Sequence, residues 1–191
     1  MPATEPADRR QYLSFALAGS DYAVGILQVK EILQFETVTR VPSVPHSIRG
    51  VINLRGSVVP VVDLAVKFGL RETPVTKRTC VLIVEATIGE ERTIMGVLAD
   101  AVSEVLELSP EDVEPAPSFG TKVKVDYLLG MGKVGKGFVL LLDLDRVLSA
   151  DEKELASHLA REGLPEEVAA AVVPAGAPVQ PPPKAQGAKA P

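Results

Sequence analysis

The chain has 191 residues, of which 46% are hydrophobic and only 4% aromatic, so its core must consist mainly of Val, Leu, Ile and Ala. Its formal net charge of −5 argues against nucleic acid as a main partner, because phosphate binding requires a basic face. No apolar run has the length of a signal peptide or of a membrane span, so we expect a cytoplasmic protein without direct membrane insertion.

Short strands are predicted for most of the chain. Residues 12–18 place Leu13, Phe15 and Leu17 at a period of two, the spacing of one face of a sheet, and residues 19–21 read as a turn. Further β-branched or Leu-rich runs bounded by turn residues occupy residues 58–62, 80–84, 93–98 and 138–142. Short strands with frequent turns indicate small barrels rather than an α/β sheet.

The end of the chain has a different character. Residues 150–162 carry Leu155 and Leu159 four positions apart and are predicted to form a helix that Gly163 ends, with Ser149 or Asp151 as its N-cap. In residues 174–191, six of eighteen residues are Pro, five are Ala and none is acidic. We expect such a segment to be a disordered tether, with a ligand of proline-binding grooves as the alternative.

Two pairs of similar segments recur in the same order along the chain. Residues 25–33 (GILQVKEIL) resemble residues 96–106 (GVLADAVSEVL), and residues 58–64 (VVPVVDL) resemble residues 138–144 (FVLLLDL). In the second pair, each strand runs into Asp-Leu, whose carboxylate can cap the turn that follows. This duplication predicts two similar small β units within one body.

The stretch GMGKVGKG at residues 130–137 has the G-x-x-x-x-G-K spacing of a phosphate-binding loop. A working loop also needs Ser or Thr after the Lys and a helix whose N-terminus faces the phosphates. Gly137 stands where the hydroxyl is required, and a predicted strand follows. We interpret the glycines as a turn before that strand, with a nucleotide-dependent enzyme as the competing hypothesis.

Other side chains with catalytic or metal-binding chemistry are few. Cys80 is alone, makes no internal disulfide and is expected to be a buried core residue. His46 lies in a Pro-rich loop and His158 in the predicted helix, without the cysteine pair or carboxylate cluster of a zinc site. The remaining residues do not fit the α/β pattern of a phosphorylatable receiver domain. The sequence therefore favours a binding module over an enzyme.

Two charged residues have open interpretations. Arg55 lies in the turn Leu54-Arg55-Gly56-Ser57 between two apolar runs, where it either holds a local carboxylate or carbonyl or presents its donor fork to a partner. Glu31 lies in the short element at residues 29–33, whose Val29, Ile32 and Leu33 could form an apolar edge. It is either an ordinary exposed helix charge or part of a contact surface.

These segments together resemble the CheW family of chemotaxis coupling proteins. The strongest motif is GVINLRG at residues 50–56, followed by PVVDL at residues 60–64. Further matching segments are YLSF at 12–15, VKEI at 29–32, VTRVP at 38–42, GVLADAV at 96–102 and LDLD at 142–145. The resemblance covers about residues 11–150 and leaves the Pro/Ala-rich tail outside.

The resemblance implies a mainly β fold of two intertwined five-stranded SH3-like β-barrel subdomains around a shared core, with short helices. It divides the chain into a flexible N-terminus (1–10), a CheW-like domain (11–150), a helical segment (151–173) and a disordered tail (174–191). It implies a non-catalytic adaptor without cofactor or metal. Such an adaptor couples chemoreceptor tips to the regulatory domain of the histidine kinase CheA in arrays beneath the membrane. The resemblance fits equally well a coupling protein of a parallel chemosensory pathway that controls surface motility, pili or development.

The resemblance also implies two contact surfaces. Receptor contact falls on the groove between the barrels, at Val29, Glu31, Gly50, Asn53, Arg55 and Gly56. Kinase contact falls on an apolar patch formed by Leu13, Ile26, Val29 and Val102. Each member of the apolar patch is also a candidate core residue, and Val29 belongs to both sets.

Overall fold

The computed structural model describes residues 9–88, 90–118, 123–148, 150–163 and 166. Its strands are β1 (Arg10–Leu17), β2 (Ser20–Gly25), β3 (Val29–Gln34), β4 (Ile48–Leu54), β5 (Ser57–Asp63), β6 (Cys80–Ile88), β7 (Glu91–Ala99), β8 (Ala101–Leu108), β9 (Val113–Glu114), β10 (Leu128–Val134) and β11 (Gly137–Leu142). Its α-helices are α1 (Leu64–Lys67), α2 (Leu144–Val147) and α3 (Ala150–Glu162). The predicted disordered tail and all but the last two residues of the predicted flexible N-terminus lie outside the described residues.

The strands form two sheets. One has the order β8-β1-β2-β11-β10-β9 and the other has the order β3-β6-β7-β5-β4. Neighbouring strands are antiparallel except β2 with β11 and β5 with β7, which are parallel. The predicted mainly β fold with two barrel-like units is confirmed. The first sheet has six strands rather than five, because the two-residue strand β9 adds to the edge of β10.

Each sheet is assembled from both halves of the chain. Strand β3 follows β2 in sequence but pairs with β6 of the other sheet, and β8 follows β7 but pairs with β1. Read from the same edge, β8, β1, β2, β11 and β10 occupy the places that β3, β6, β7, β5 and β4 occupy in the second sheet. Neither half can complete its sheet alone, which is the intertwining that the resemblance implies; the duplication predicted the two similar units.

The duplication extends to the hairpins. The β4–β5 and β10–β11 hairpins each turn within two residues, closed by the pairs Leu54–Ser57 and Val134–Gly137. The stretch GMGKVGKG is therefore the second copy of the turn that contains Arg55. Each hairpin has a register shift beside a glycine. A Cβ on Gly50 would lie 2.5 Å from the Thr39 carbonyl oxygen, and one on Gly130 would lie 2.6 Å from the Glu114 oxygen.

The strand registers correct one detail of the sequence match. Residues that hold the same register position in the two sheets are called equivalent below. Val61 pairs with Gly96, and its equivalent Leu141 pairs with Ala23, so Gly96 is equivalent to Ala23 rather than to Gly25. The match at Val29 and Val102 does agree with the register. The sequence match has a different register because Gly25 of the triplet GIL is the last residue of β2, whereas the triplet GVL at residues 96–98 lies within β7.

The core has three parts. Leu13, Phe15 and Leu17 are buried as predicted, within a large cluster that both sheets share. A smaller cluster around Val61 forms the core of the second barrel, and another around Leu141 forms the core of the first barrel. Cys80 is also buried as expected, and burial raises the pKa of its thiol. The shared cluster holds the two barrels together without a Trp.

Helix α3 fastens the end of the domain to both halves of the chain. The carboxylate of Glu152, 1% exposed, accepts a hydrogen bond from Ser47 and lies 2.7 Å from the Lys67 ammonium. The ammonium of Lys153 donates to the carbonyls of Thr87 and Asp145, at 2.9 and 2.7 Å. The helix bounds match the prediction. Of the two candidate N-caps, Ser149 lies outside the described residues and Asp151 lies within the helix.

The two Asp-Leu motifs cap α1 and α2, but only the first is built into the core. Asp63 is 1% exposed and accepts hydrogen bonds from Ala65 N, Thr73 N and the Thr73 hydroxyl at 2.9 to 3.0 Å. The Arg49 guanidinium adds a fourth at 3.0 Å. Asp143, by contrast, has a side chain 20% exposed and pairs with Arg146 at 3.2 Å.

We predict that Asp63→Ala lowers the free energy of unfolding by about 3 kcal/mol or more, because it leaves the poorly exposed charge of Arg49 without its buried partner. Asp143→Ala is the matched control, and its loss of one helix cap is expected to cost about 1 kcal/mol. Urea unfolding of the three proteins measures both values. Equal costs for the two substitutions would contradict the assignment of Asp63 to the core.

Candidate partner-binding surfaces

Arg55 and Glu31 meet at the edge of the second sheet. The Arg55 guanidinium in the β4–β5 turn lies 2.9 Å from the Glu31 carboxylate on β3. Strands β3 and β4 lie at opposite ends of the strand order, so this ion pair joins the two edges of the sheet as it curls into a barrel. The Arg55 side chain is 75% exposed and that of Glu31 is 29% exposed. Most of the guanidinium therefore stays open to solvent.

The turn itself holds Arg55 in a left-handed backbone conformation. Its φ is 51° and that of Gly56 is 87°, as a tight two-residue hairpin of type I′ requires. Asn and Gly favour such positions, whereas a left-handed conformation costs other residues about 1–2 kcal/mol. The side-chain oxygen of Asn53 accepts a hydrogen bond from Gly56 N at 2.8 Å. Three of the predicted receptor residues therefore form one turn.

Glu31 lies on a strand and not on a helix. Residues Val29–Gln34 form β3, and its alternate residues point to opposite sides. Val29 packs against the shared core and Leu33 against the second barrel's core, while Ile32 on the other side is 46% exposed. The apolar edge expected from Val29, Ile32 and Leu33 is thus split between two faces.

Gly50 lies at the other end of β4 from the Arg55 turn. It is buried, and the chain at Thr39 crosses so near that no side chain fits. Its backbone pairing with Val61 begins after the register shift in the hairpin. This position gives Gly50 a structural role, and the structure does not place it beside the Glu31–Arg55 pair.

The predicted kinase patch is only partly accessible. Ile26, Val29 and Val102 are half-buried and pack against the shared core, whereas Leu13 is 4% exposed and belongs to that core. The Leu13 side chain is therefore too deeply buried to contact a partner directly. The residue directly opposite Leu13 on the edge strand β8 is Val105, which is 48% exposed. Val105 is therefore the exposed neighbour of Leu13 on the same face of the sheet.

The sequence reasoning did not single out several exposed apolar side chains. Leu27, beside Ile26, is 90% exposed, and Leu129 is 54% exposed. Both line a pocket of about 630 Å³ at the start of β1. Phe138 on β11 is 54% exposed. Period-two alternation could have flagged Phe138, but its exposure depends on strand pairing that the sequence does not display, because β11 pairs with β2 only at residues 140–141.

The remaining candidates for chemistry stand apart from one another. GMGKVGKG leads into β11, so the helix that a phosphate-binding loop needs does not follow it. Within the described ranges, no group of three His, Cys, Asp or Glu side chains could hold a metal ion. His158 lies 3.4 Å from Glu162 on the exposed side of α3. No helix in the described part of the chain is long and apolar enough to cross a membrane.

Comparison with known proteins identifies relatives over most of this body. The profile of the CheW-like domain family matches residues 11–152. The chain is 36% identical over 152 residues to the chemotaxis protein CheW of Klebsiella aerogenes, covering 80% of this chain and 89% of that protein. It is 32% identical over 142 residues to CheW of Helicobacter pylori, covering 74% and 82% of the two chains.

A solved structure is also similar. The scaffolding protein TtCheW from Thermoanaerobacter tengcongensis superposes with a TM-score of 0.67 at 27% sequence identity. The superposition covers 80% of this chain and 96% of that one. The similarity in fold therefore extends across nearly the whole of the solved relative.

We predict that Arg55→Gly changes the free energy of unfolding by less than about 1 kcal/mol. Relief of the left-handed backbone offsets the loss of an exposed ion pair and the greater freedom of Gly in the unfolded chain. Urea unfolding at low and high salt measures the change. A loss of more than about 2 kcal/mol would mean that Arg55 fixes the loop rather than serving a contact.

Proposed function

The chain belongs to the CheW-like domain family, and we propose that it is a non-catalytic coupling protein in chemotaxis signalling. In this proposal it joins the cytoplasmic tips of chemoreceptors to the regulatory domain of the histidine kinase CheA, in arrays at the inner face of the membrane. The observation that carries the proposal is the Arg55 turn, in which an arginine keeps a left-handed conformation and an exposed guanidinium. Such strain at an exposed position is typical of a contact site.

The receptor-binding surface in this proposal centres on Arg55, Glu31 and the Asn53–Gly56 bond. Glu31 orients the guanidinium on one side, and the outer donors remain free for carboxylates or carbonyls of a receptor helix. Val29 is the first residue of β3, the strand that carries Glu31, and it supplies an apolar contact to the receptor. Gly50 contributes indirectly, because it allows the segment at Thr39 to pack against β4.

The kinase-binding surface in this proposal is the apolar edge of the first barrel. Ile26, Val29 and Val102 form its half-buried base, Leu13 supports it, and Val105 is its exposed side chain. A few apolar side chains around a well-packed centre are sufficient for specific association without chemistry. The presence of Val29 in both sets follows from its position at the start of β3, where the strand passes from one barrel to the other.

A coupler of a parallel pathway, controlling surface motility, pili or development, would use the same surfaces. No feature of the two surfaces distinguishes the pathways, so the receptor that co-purifies from native cells decides between them. The proposal of a nucleotide-dependent enzyme predicts heat on titration with ATP. The coupling proposal predicts none at millimolar ATP, because GMGKVGKG is a hairpin turn.

We predict that Arg55→Ala combined with Glu31→Lys weakens binding to receptor tips at least about tenfold while the fold persists. Arg161→Ala with Glu91→Lys is the control, since the Arg161 side chain is similarly exposed, 70%, and pairs with Glu91 on β7 of the same sheet, away from β3 in the strand order. Binding is measured by titration calorimetry, and the fold by circular dichroism. Full binding by the first double variant would refute the assigned receptor surface.

We predict that Val105→Asp weakens the complex with the CheA regulatory domain at least about tenfold, because it places a charge in an apolar contact. Val75→Asp is the control, since Val75 is 52% exposed on a loop away from β8. Receptor-tip binding by Val105→Asp should be unchanged, and kinase activity in the ternary mixture should fall towards that of uncoupled kinase. Equal affinity of the Val105→Asp and Val75→Asp variants for the kinase would show that Val105 is not part of the kinase-binding surface.

A further inference from the structure

Two clefts share equivalent residues at the starts of paired strands, and the one beside β2 and β11 also takes in residues of β1, β8 and β10. Strands β5 and β7 are paired in parallel only at residues 61–63 and 96–98, and β2 and β11 only at residues 22–23 and 140–141. Near their starts, the strands of each pair are no longer bonded to each other and leave a cleft. The volume is about 280 Å³ for the β5/β7 cleft and about 200 Å³ for the β2/β11 cleft.

Helix α3 covers the β5/β7 cleft. Ala156, Ser157 and Ala160 of the helix line the cleft together with strand residues such as Val58. Ala156 is 2% exposed, so the small side chains let the helix lie close to the strands. At the rim, the Arg161 guanidinium lies 3.4 Å from the Glu91 carboxylate. An amphipathic helix with small residues four apart thus packs against the starts of β5 and β7 and forms one wall of this cleft.

The equivalent β2/β11 cleft is open. Its lining comes entirely from strands and turns of the described chain, and Phe138, the equivalent of Val58, is 54% exposed. The difference arises where the two copies diverge in sequence. After α2 the chain continues into α3, whereas after α1 it continues through residues 68–79 without a helix. Among the described residues, α3 lines the first of these two clefts and no helix lines the second.

The charge of the open cleft defines what would fit there. Asp21 and Glu104 line it, and no Lys or Arg is among its lining residues. Both acidic residues are exposed, beside the apolar surface of Phe138 and Leu106. A ligand helix that buries Phe138 would therefore gain from basic residues at its edge and lose from acidic ones.

We propose that the β2/β11 cleft binds an amphipathic helix of a partner protein that presents small residues four apart, flanked by Lys or Arg. The helix would cover Phe138 as α3 covers Val58, and its basic residues would face Asp21 and Glu104. An apolar groove that receives one face of a helix is a recurrent mode of recognition. None of its lining residues belongs to the receptor and kinase surfaces proposed above, although Glu104 and Leu106 flank Val105 on β8.

The test uses the full chain and two peptides. One peptide has the sequence of residues 150–163, and the other carries Glu154→Lys and Glu162→Lys, which leave Ala156, Ser157 and Ala160 unchanged. Amide chemical shifts of the isotope-labelled protein report where each peptide binds, and the titration gives its affinity. We expect the basic peptide to shift signals of Asp21, Ser103 and Phe138 and to bind at least about fivefold more tightly than the native peptide.

Variants of the protein complete the test. Phe138→Asp should weaken binding of the basic peptide at least about tenfold, and Asp21→Lys should weaken it several-fold. Val75→Asp should leave the affinity unchanged. No binding at millimolar peptide, equal binding of both peptides, or shifts confined to the β5/β7 cleft would each overturn the proposal. Sedimentation that shows a dimer dissociated by Phe138→Asp would also overturn it, because the occupant would then be a second copy of this chain.

Discussion

The exchange of strands between the two halves of the chain, which begins at β3 and at β8, is the constraint on which the rest of the structure depends. Each of these strands pairs with the first strand of the other half, so each sheet closes only when both halves are present. The shared core then forms between two sheets that each contain strands from both halves of the chain. We infer that the barrels fold together, because neither half of the chain supplies all the hydrogen-bonded strands of a barrel by itself.

The exchange also decides where contact surfaces can lie. An exchanged strand is an edge strand in its new sheet, and edge strands carry the residues of both proposed partner surfaces, Glu31 on β3 and Val105 on β8. The Glu31–Arg55 pair spans the two edges of one barrel, which explains why two residues 24 positions apart meet. A duplicated fold therefore offers two similar edges, and the different side chains on each edge allow different partners.

Much of the fold could be predicted from sequence because its signals are local. The period of Leu13, Phe15 and Leu17, the Asp-Leu caps and the end of α3 at Gly163 all depend on neighbours in the chain. The burial of Leu13 beside the exposed Val105 and the strand conformation around Glu31 could not be predicted, because they depend on which strands pair. The slip between Gly25 and Gly96 has the same cause, since similar triplets can hold different register positions.

Asymmetry between the copies is where specific function can arise in such a fold. Equivalent positions have diverged: Arg55 and Gly135 in the turns, Asp63 in the core and Asp143 near the surface, Val58 under α3 and Phe138 exposed. The buried network at Asp63 holds β4, α1 and the following loop in place, and the Arg55 turn projects from β4. The Asp63 network anchors the β4–β5 hairpin at the end opposite to the Arg55 turn, and the second hairpin has no such buried carboxylate at Asp143. This difference would let the molecule hold one partner firmly at the Arg55 turn while its other barrel remains available to another.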